Sequence, residues 1–171
     1  MPIKFEVSVG RIEALAVDAI VNAANRALIP GGGVDGAIRR AAGPELDQLL
    51  ATHGGLPEGR ALTTPGFKTR ARFIIHTVAP IYFASDDDDW KERTLAECYA
   101  SCIAEAHEAG VSTIAFPAIG TGAFGWPKEM GRDIALRAIR AAAQEQSCVE
   151  RVVFCCFSEE DAALYRAALD R

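Results

Sequence analysis

The sequence predicts an α/β fold, one domain with a mixed, largely parallel central sheet covered by helices on both faces. Apolar strand-like runs alternate with helical patterns along the whole chain. Three of those runs are continuous enough in apolar content to be strands buried on both faces. Two of the runs lead straight into glycine-rich loops, which belong at the carboxyl ends of such strands.

Residues 3–9 alternate apolar and polar side chains, a half-buried strand. Residues 19–21 form a short apolar run that ends in Asn22. A short helix over 36–42 follows a glycine run, and a second over 44–53 opens on Pro44, a residue suited to a first helical position. Residues 73–78 are the next strand. Asp86, Asp87, Asp88 and Asp89 predict an exposed loop, because adjacent carboxylates repel and stay hydrated. Consecutive residues cannot all face one cation, which disfavours a divalent-ion site there. Leu95, Cys98, Tyr99, Cys102, Ile103 and Ala106 share one helical face, as do Ile134, Ala135, Ala138, Ile139 and Ala142. Residues 113–116 and 151–157 are the remaining strands. Ser158, followed by Glu159, Glu160 and Asp161, predicts an N-cap with an acidic first turn. The N-terminal strands are expected to make the sheet mixed.

With 171 residues the chain has room for one well-filled core, and the expected domain spans 1–171. The net charge of −5 argues against a broad nucleic-acid surface, which needs clustered Lys and Arg. It leaves room for a phosphate-bearing ligand held by backbone amides. No apolar stretch is long enough to cross a bilayer, and the N-terminus lacks the apolar core of a signal peptide, so no membrane partner and a cytoplasmic location are expected. Five cysteines without zinc-finger spacing read as small buried hydrophobes in a reducing compartment. Cys155 and Cys156, adjacent in a strand, must face opposite sides of the sheet.

Two segments carry the chemistry. In DAIVNAANRALIPGGGVDGAIRRAAG, residues 18–43, a buried strand ends in asparagines, then three glycines precede a helix. Successive glycines let N–H groups converge on an anion, and the helix adds its positive end. In AFPAIGTGAFGWP, residues 115–127, a second buried strand enters a second glycine-rich loop beside Phe124 and Trp126. Two such loops in one small domain suggest a shared groove that fits a diphosphate. Phe157 stands at a strand end, placed equally well to stack a ligand or to pack in the core. His76, alone in an apolar strand, reads as a hydrogen-bonded structural residue.

DAIVNAAN, GGGVDGAI, HTVAP and GTGAFG stand in an order and spacing that resemble the macro domain family, in its MacroD-type branch, over essentially the whole chain. The resemblance implies a three-layer α/β/α sandwich with ADP-ribose held along the crest of a mixed sheet. It implies that Asp18 accepts a hydrogen bond from the adenine amino group, that Ile20 lies in the same pocket, and that Phe157 stacks on the base. Gly31, Gly32, Gly33 and Val34, with Gly120, Thr121, Gly122, Ala123 and Phe124, would cradle the diphosphate and distal ribose. Asn25 would hold distal-ribose hydroxyls and Asp35 would stand beside the scissile ester, the two forming the catalytic pair. The implied activity is ester hydrolysis at the distal ribose, by a water that Asp35 assists, without metal or cofactor. O-acyl-ADP-ribose and mono-ADP-ribosylated Asp or Glu side chains would be the substrates. Replacing Asp35 with Ala would abolish turnover and leave ADP-ribose binding largely intact.

Departures from the family's pattern are Pro30 at the head of the glycine run, Arg39 for His, Gly120 for Ser, Trp126 for Tyr and Ala79 for Gly. Arg39 lies one turn after Asp35, where the two can pair. Such a pair favours the rival reading, a module that binds ADP-ribose without turning it over. Phosphatase action on ADP-ribose phosphate and RNA binding are more distant alternatives.

Overall fold

The computed structural model describes residues 2–145 and 147–170. In chain order it contains β1 (Lys4–Val9), β2 (Ala19–Ala23), α1 (Gly33–Ala42), α2 (Pro44–Ala51), β3 (Ala61–Pro65), β4 (Phe73–Thr77), α3 (Asp88–Glu108), β5 (Thr113–Phe116), α4 (Lys128–Gln144), β6 (Arg151–Cys156) and α5 (Glu159–Leu169). The strands form one sheet in the order β1-β6-β5-β2-β4-β3. Every neighbouring pair is parallel except β3–β4.

Alternate residues of each strand face opposite layers. Val21, Ile75, Phe116, Phe154 and Cys156 pack with Leu95 and Tyr99 of α3, Ile134 and Ile139 of α4, and Tyr165 of α5. Ile20, Ile74, Ala115, Val153 and Cys155 pack with Ile38 of α1 and with Leu46 and Leu50 of α2. The result is the three-layer α/β/α sandwich, with Cys155 and Cys156 on opposite faces as their adjacency requires. Burial pushes the Cys98 and Cys156 thiols up to about 11, so both stay protonated at neutral pH.

The structure corrects two expectations. The sheet is mixed because of β3, whereas β1 runs parallel to β6. ALTTP has no apolar run and ends in proline, so its pattern is silent. It forms a strand because an edge position asks for pairing on one side only. The aspartate run is a helix start, not a free loop. Asp87 caps α3 by accepting from the Trp90 amide at 3.0 Å, and Asp88 and Asp89 occupy the first turn. At α5 the expected cap is present, with Ser158 accepting from the Asp161 amide at 3.2 Å.

Candidate functional site

From β2 the chain crosses to the edge at β3 and returns to β4 on the same side, whereas from β5 it moves to β6 on the other side. The point where the direction reverses lies between β5 and β2, which pair directly. Ligand crevices of open α/β sheets form at such a point, beyond the carboxyl ends of the strands. The two glycine-rich loops predicted from sequence both leave the sheet there, one from each strand.

In the loop after β2, Asn25 grips its own turn. Its amide donates to the Ile29 carbonyl at 2.7 Å, and its carbonyl accepts from the Ile29 amide at 3.1 Å. Leu28 adopts a positive φ of 56° while almost fully buried. That is a strained backbone for a side chain of this kind, so packing must hold it. Gly31, Gly32 and Gly33 are exposed. Gly32 caps α1 without any side-chain hydrogen bond, leaving the first-turn amides of the helix free.

Behind this loop runs a buried polar chain. Asp35 Oδ1 accepts from Asn22 Nδ2 at 2.8 Å, and Oδ2 accepts from the Gly31 amide at 2.8 Å and Arg39 Nε at 2.9 Å. Arg39 continues to Asp47 at 2.6 Å and to the Leu28 carbonyl at 3.0 Å. Asn22 Nδ2 also meets His76 Nδ1 at 3.1 Å, and His76 Nε2 meets Thr64 Oγ1 at 3.0 Å. Asn22 and His76 are cross-strand partners of β2 and β4. Since Asn22 Nδ2 is a donor, His76 Nδ1 must be the bare nitrogen and Nε2–H the donor to Thr64. Burial, then the charges of Arg39 and His53, hold the His76 pKa down at about 3.

The loop after β5 is tightened by Thr121, whose hydroxyl donates to the Ala118 carbonyl at 2.9 Å, and by the Trp126 amide, which donates to the Gly120 carbonyl at 3.0 Å. Trp126 is buried, with Nε1 donating to the Pro80 carbonyl at 2.9 Å. Gly120 has φ +82°. Among the described residues, no protein acceptor faces the amides of Gly122, Ala123 and Phe124.

At the β6 end, Phe157 is 73% exposed, which decides its role against core packing. It follows Cys156, whose carbonyl accepts from the Gly10 amide at 2.9 Å, so the turn after β1 starts beside the end of β6. Sequence reasoning missed this corner. The signal was the short turn at 12–14 directly after β1, whose carboxyl end lies next to that of β6.

The family profile for the macro domain matches residues 21–135. This chain belongs to the macro domain family. It is 44% identical over 173 residues to an O-acetyl-ADP-ribose deacetylase of Klebsiella pneumoniae, covering 99% of this chain and 98% of that protein. The Oceanobacillus iheyensis macrodomain solved with ADP superimposes with a TM-score of 0.90 at 39% identity, covering 97% of this chain and 90% of that one. The Trypanosoma brucei macrodomain in complex with ADP-ribose gives 0.89 at 34% identity, covering 96% of this chain and 68% of that one.

This macro domain therefore brings Asn25, Gly31 to Val34, Asp35, Gly120 to Phe124 and Phe157 to one edge of its sheet. It does not bring Asp18 or Ile20 there. Asp18 precedes β2, at the amino end of the sheet. Its Oδ2 accepts from the Ser112 amide and hydroxyl, both at 3.0 Å, and from the Thr113 amide at 3.2 Å, just before and at the start of β5. One strand length, about 16 Å, separates it from the loops. Ile20 is fully buried in mid-strand. Neither stands at the edge that carries Phe157. Burial of the Asp18 carboxylate opposes its charge, but the donors from Ser112 and Thr113 and the Arg72 cation outweigh this and hold its pKa below the usual value.

Two outcomes follow for the macro domain's stability. Asp18→Ala is expected to cost about 1.5–3 kcal/mol near neutral pH, with ADP-ribose affinity unchanged by calorimetry. A folded pKa below the unfolded one means this contribution is present above about pH 4 and fades as the carboxylate protonates. For His76 the unfolded chain takes up the proton first, so stability is intact above about pH 6.5 and drops from there toward pH 3. His76→Gln is expected to flatten that slope of about 1.4 kcal/mol per pH unit, as read by urea denaturation at pH 7 and pH 5.

Proposed function

We propose that this macro domain binds ADP-ribose along the carboxyl edge of its sheet and hydrolyses esters on the distal ribose. Its substrates are O-acetyl-ADP-ribose and mono-ADP-ribose attached to Asp or Glu side chains. The observation that carries this reading is that α1, with no side-chain cap at its N-terminus, and the amides of Gly122, Ala123 and Phe124, without protein acceptors among the described residues, follow the carboxyl ends of the paired strands β2 and β5. Converging amides and a helix N-terminus neutralise a diphosphate without basic side chains. With the phosphates at that junction, Phe157 stands at the base end and Asn25 at the distal-ribose end of the same edge. The base subsite uses the Arg11–Ile12 corner in place of Asp18 and Ile20.

In the proposed reaction water adds to the ester carbonyl carbon. The tetrahedral adduct collapses, the acyl–oxygen bond breaks, and the ribose oxygen leaves with the proton given up by the water. Asp35 assists by position. Its Oδ2 fixes the Gly31 amide, and its Oδ1, which takes one donor from the protein, has capacity for the water as a second. The Arg39–Asp35 pair, formed at 2.9 Å, is the one observation that favours a binding module without turnover. Calorimetry with ADP-ribose followed by an acetate-release assay on O-acetyl-ADP-ribose separates the two. Heat with acetate supports the hydrolase and heat without acetate the binding module. No heat at millimolar ligand removes the groove assignment.

A further inference from the structure

Among the described residues, the exposed large apolar side chains fall into two groups. Val9 and Phe157 lie at the carboxyl ends of β1 and β6, where the nucleobase is placed. Ile29, on the loop after β2, and Ile81 and Phe83, on the segment after β4, lie at the other end. With the diphosphate at the β5–β2 junction and the distal ribose at Asn25, these side chains stand at or beyond the ribose end of the groove, since the Ile29 backbone is itself bonded to Asn25. This outer end also holds a cavity of about 430 Å³ lined by Arg26, Glu58, Ile81, Ser85, Asp87 and Trp90. Arg26, which lines it, directly follows Asn25 in the loop after β2. The segment after β4 is joined to the second loop: the Tyr82 amide donates to the Phe124 carbonyl at 2.9 Å, and the Phe83 ring lies against Gly125.

We propose that this cavity and its apolar rim form the subsite for the polypeptide esterified to the distal ribose. The inference rests on the hydrolase reading above. The hollow is open to solvent, so a side chain with its flanking residues can lie along it, whereas an acetyl group is too small to reach its rim. The lining and rim are amphipathic in the manner of a peptide site, with Trp90 and Ile81 for an apolar residue and the exposed Asp86 and Asp89 for a cation. Arg26 is already paired with Glu58 at 3.5 Å, and Asp88 with Lys91 at 3.1 Å. Asp86, Asp87 and Asp89, all exposed, add negative charge on the rim. The favoured occupant is a segment with an apolar residue beside the modified Asp or Glu and a Lys or Arg close by.

The test compares two substrates on the whole protein: O-acetyl-ADP-ribose, and a synthetic peptide carrying mono-ADP-ribosyl-Glu between Leu and Lys. The unsubstituted protein is assayed first. If it cleaves neither, the hydrolase reading fails, and this proposal fails with it. The double variant Ile81→Ser, Phe83→Ser is then compared, with ADP-ribose affinity as the check that the groove is intact. A drop of tenfold or more in kcat/KM for the peptide, with acetate release within twofold of the original, supports the subsite. Equal effects on both substrates, or none on either, overturn the subsite and leave the hydrolase reading standing. A second peptide with Gly and Glu as flanks should be the poorer substrate of the unsubstituted protein, and parity between the peptides also counts against the assignment.

Discussion

Asp35→Ala is expected to cost about 3–5 kcal/mol of stability, the range for breaking a buried ion pair from one side, and to weaken ADP-ribose binding as well as turnover. The sequence alone suggests a cleaner outcome, lost turnover with binding kept. The difference lies in where the carboxylate sits. Asp35 is 3% exposed and holds three donors, from Asn22, Gly31 and Arg39. Alanine would leave the Arg39 guanidinium, itself buried, with only Asp47 and the Leu28 carbonyl. It would also release the Gly31 amide, so the phosphate-facing loop loses its anchor. Asp35→Asn separates the fold from the chemistry. An asparagine carbonyl can still accept from Gly31 and Arg39, while its amide would face Asn22. Asn22 Oδ1 is buried and has no partner among the described residues, so a flip of that amide presents an acceptor to residue 35. His76 then needs only to move its proton to Nδ1. The expected result is near-native ADP-ribose affinity for Asp35→Asn with acetate release reduced at least a hundredfold. Denaturant titration, calorimetry and the acetate assay together check this. Normal turnover in Asp35→Asn would remove the carboxylate from the mechanism.

The same residues show why parts of this protein were legible in its sequence and parts were not. Periodicity located β5 to the residue and α1 and α2 within a few positions, because each buries an apolar face, whereas the first turns of α3 lay hidden in the aspartate run. β3 escaped because its stability comes from pairing with β4 at an edge and not from its own composition. The two loops were visible as glycine clusters, and adjacency of β2 and β5 brings them together. Asp18 was misplaced for a different reason. Its adenine role came from the family resemblance alone, whereas its place directly before β2 puts it at the amino end of that strand. The Asn22–His76–Thr64 chain was out of reach because it depends on β2, β4 and β3 lying side by side. His76 was nevertheless rightly read as structural, since an isolated imidazole among apolar neighbours must be kept neutral and hydrogen-bonded.

Gly120→Ala is expected to have the other large effect, about 2–5 kcal/mol of lost stability, with ADP-ribose affinity down at least tenfold. Two causes add. The backbone there has φ +82°, a region that costs a residue with a Cβ about 1–2 kcal/mol. That Cβ would also stand 2.7 Å from Trp126 Cδ1, and overpacking of this kind costs about 1–3 kcal/mol. The indole cannot step aside, because it is buried, donates to the Pro80 carbonyl at 2.9 Å and packs on Tyr82 at a centroid distance of 5.0 Å. Any displacement therefore passes into the loop through the Trp126 amide, bonded to the Gly120 carbonyl at 3.0 Å. The backbone at 120 and the ring at 126 are thus one physical unit, the indole packing where a Cβ would stand. A double-mutant cycle makes the point measurable. Gly120→Ser alone should destabilise as alanine does, while Gly120→Ser combined with Trp126→Tyr should lose less than the sum of the two single changes. The recovered part is the steric share, and the share due to φ persists in the pair. Strict additivity, within about 0.5 kcal/mol, would show that the ring and the glycine are independent.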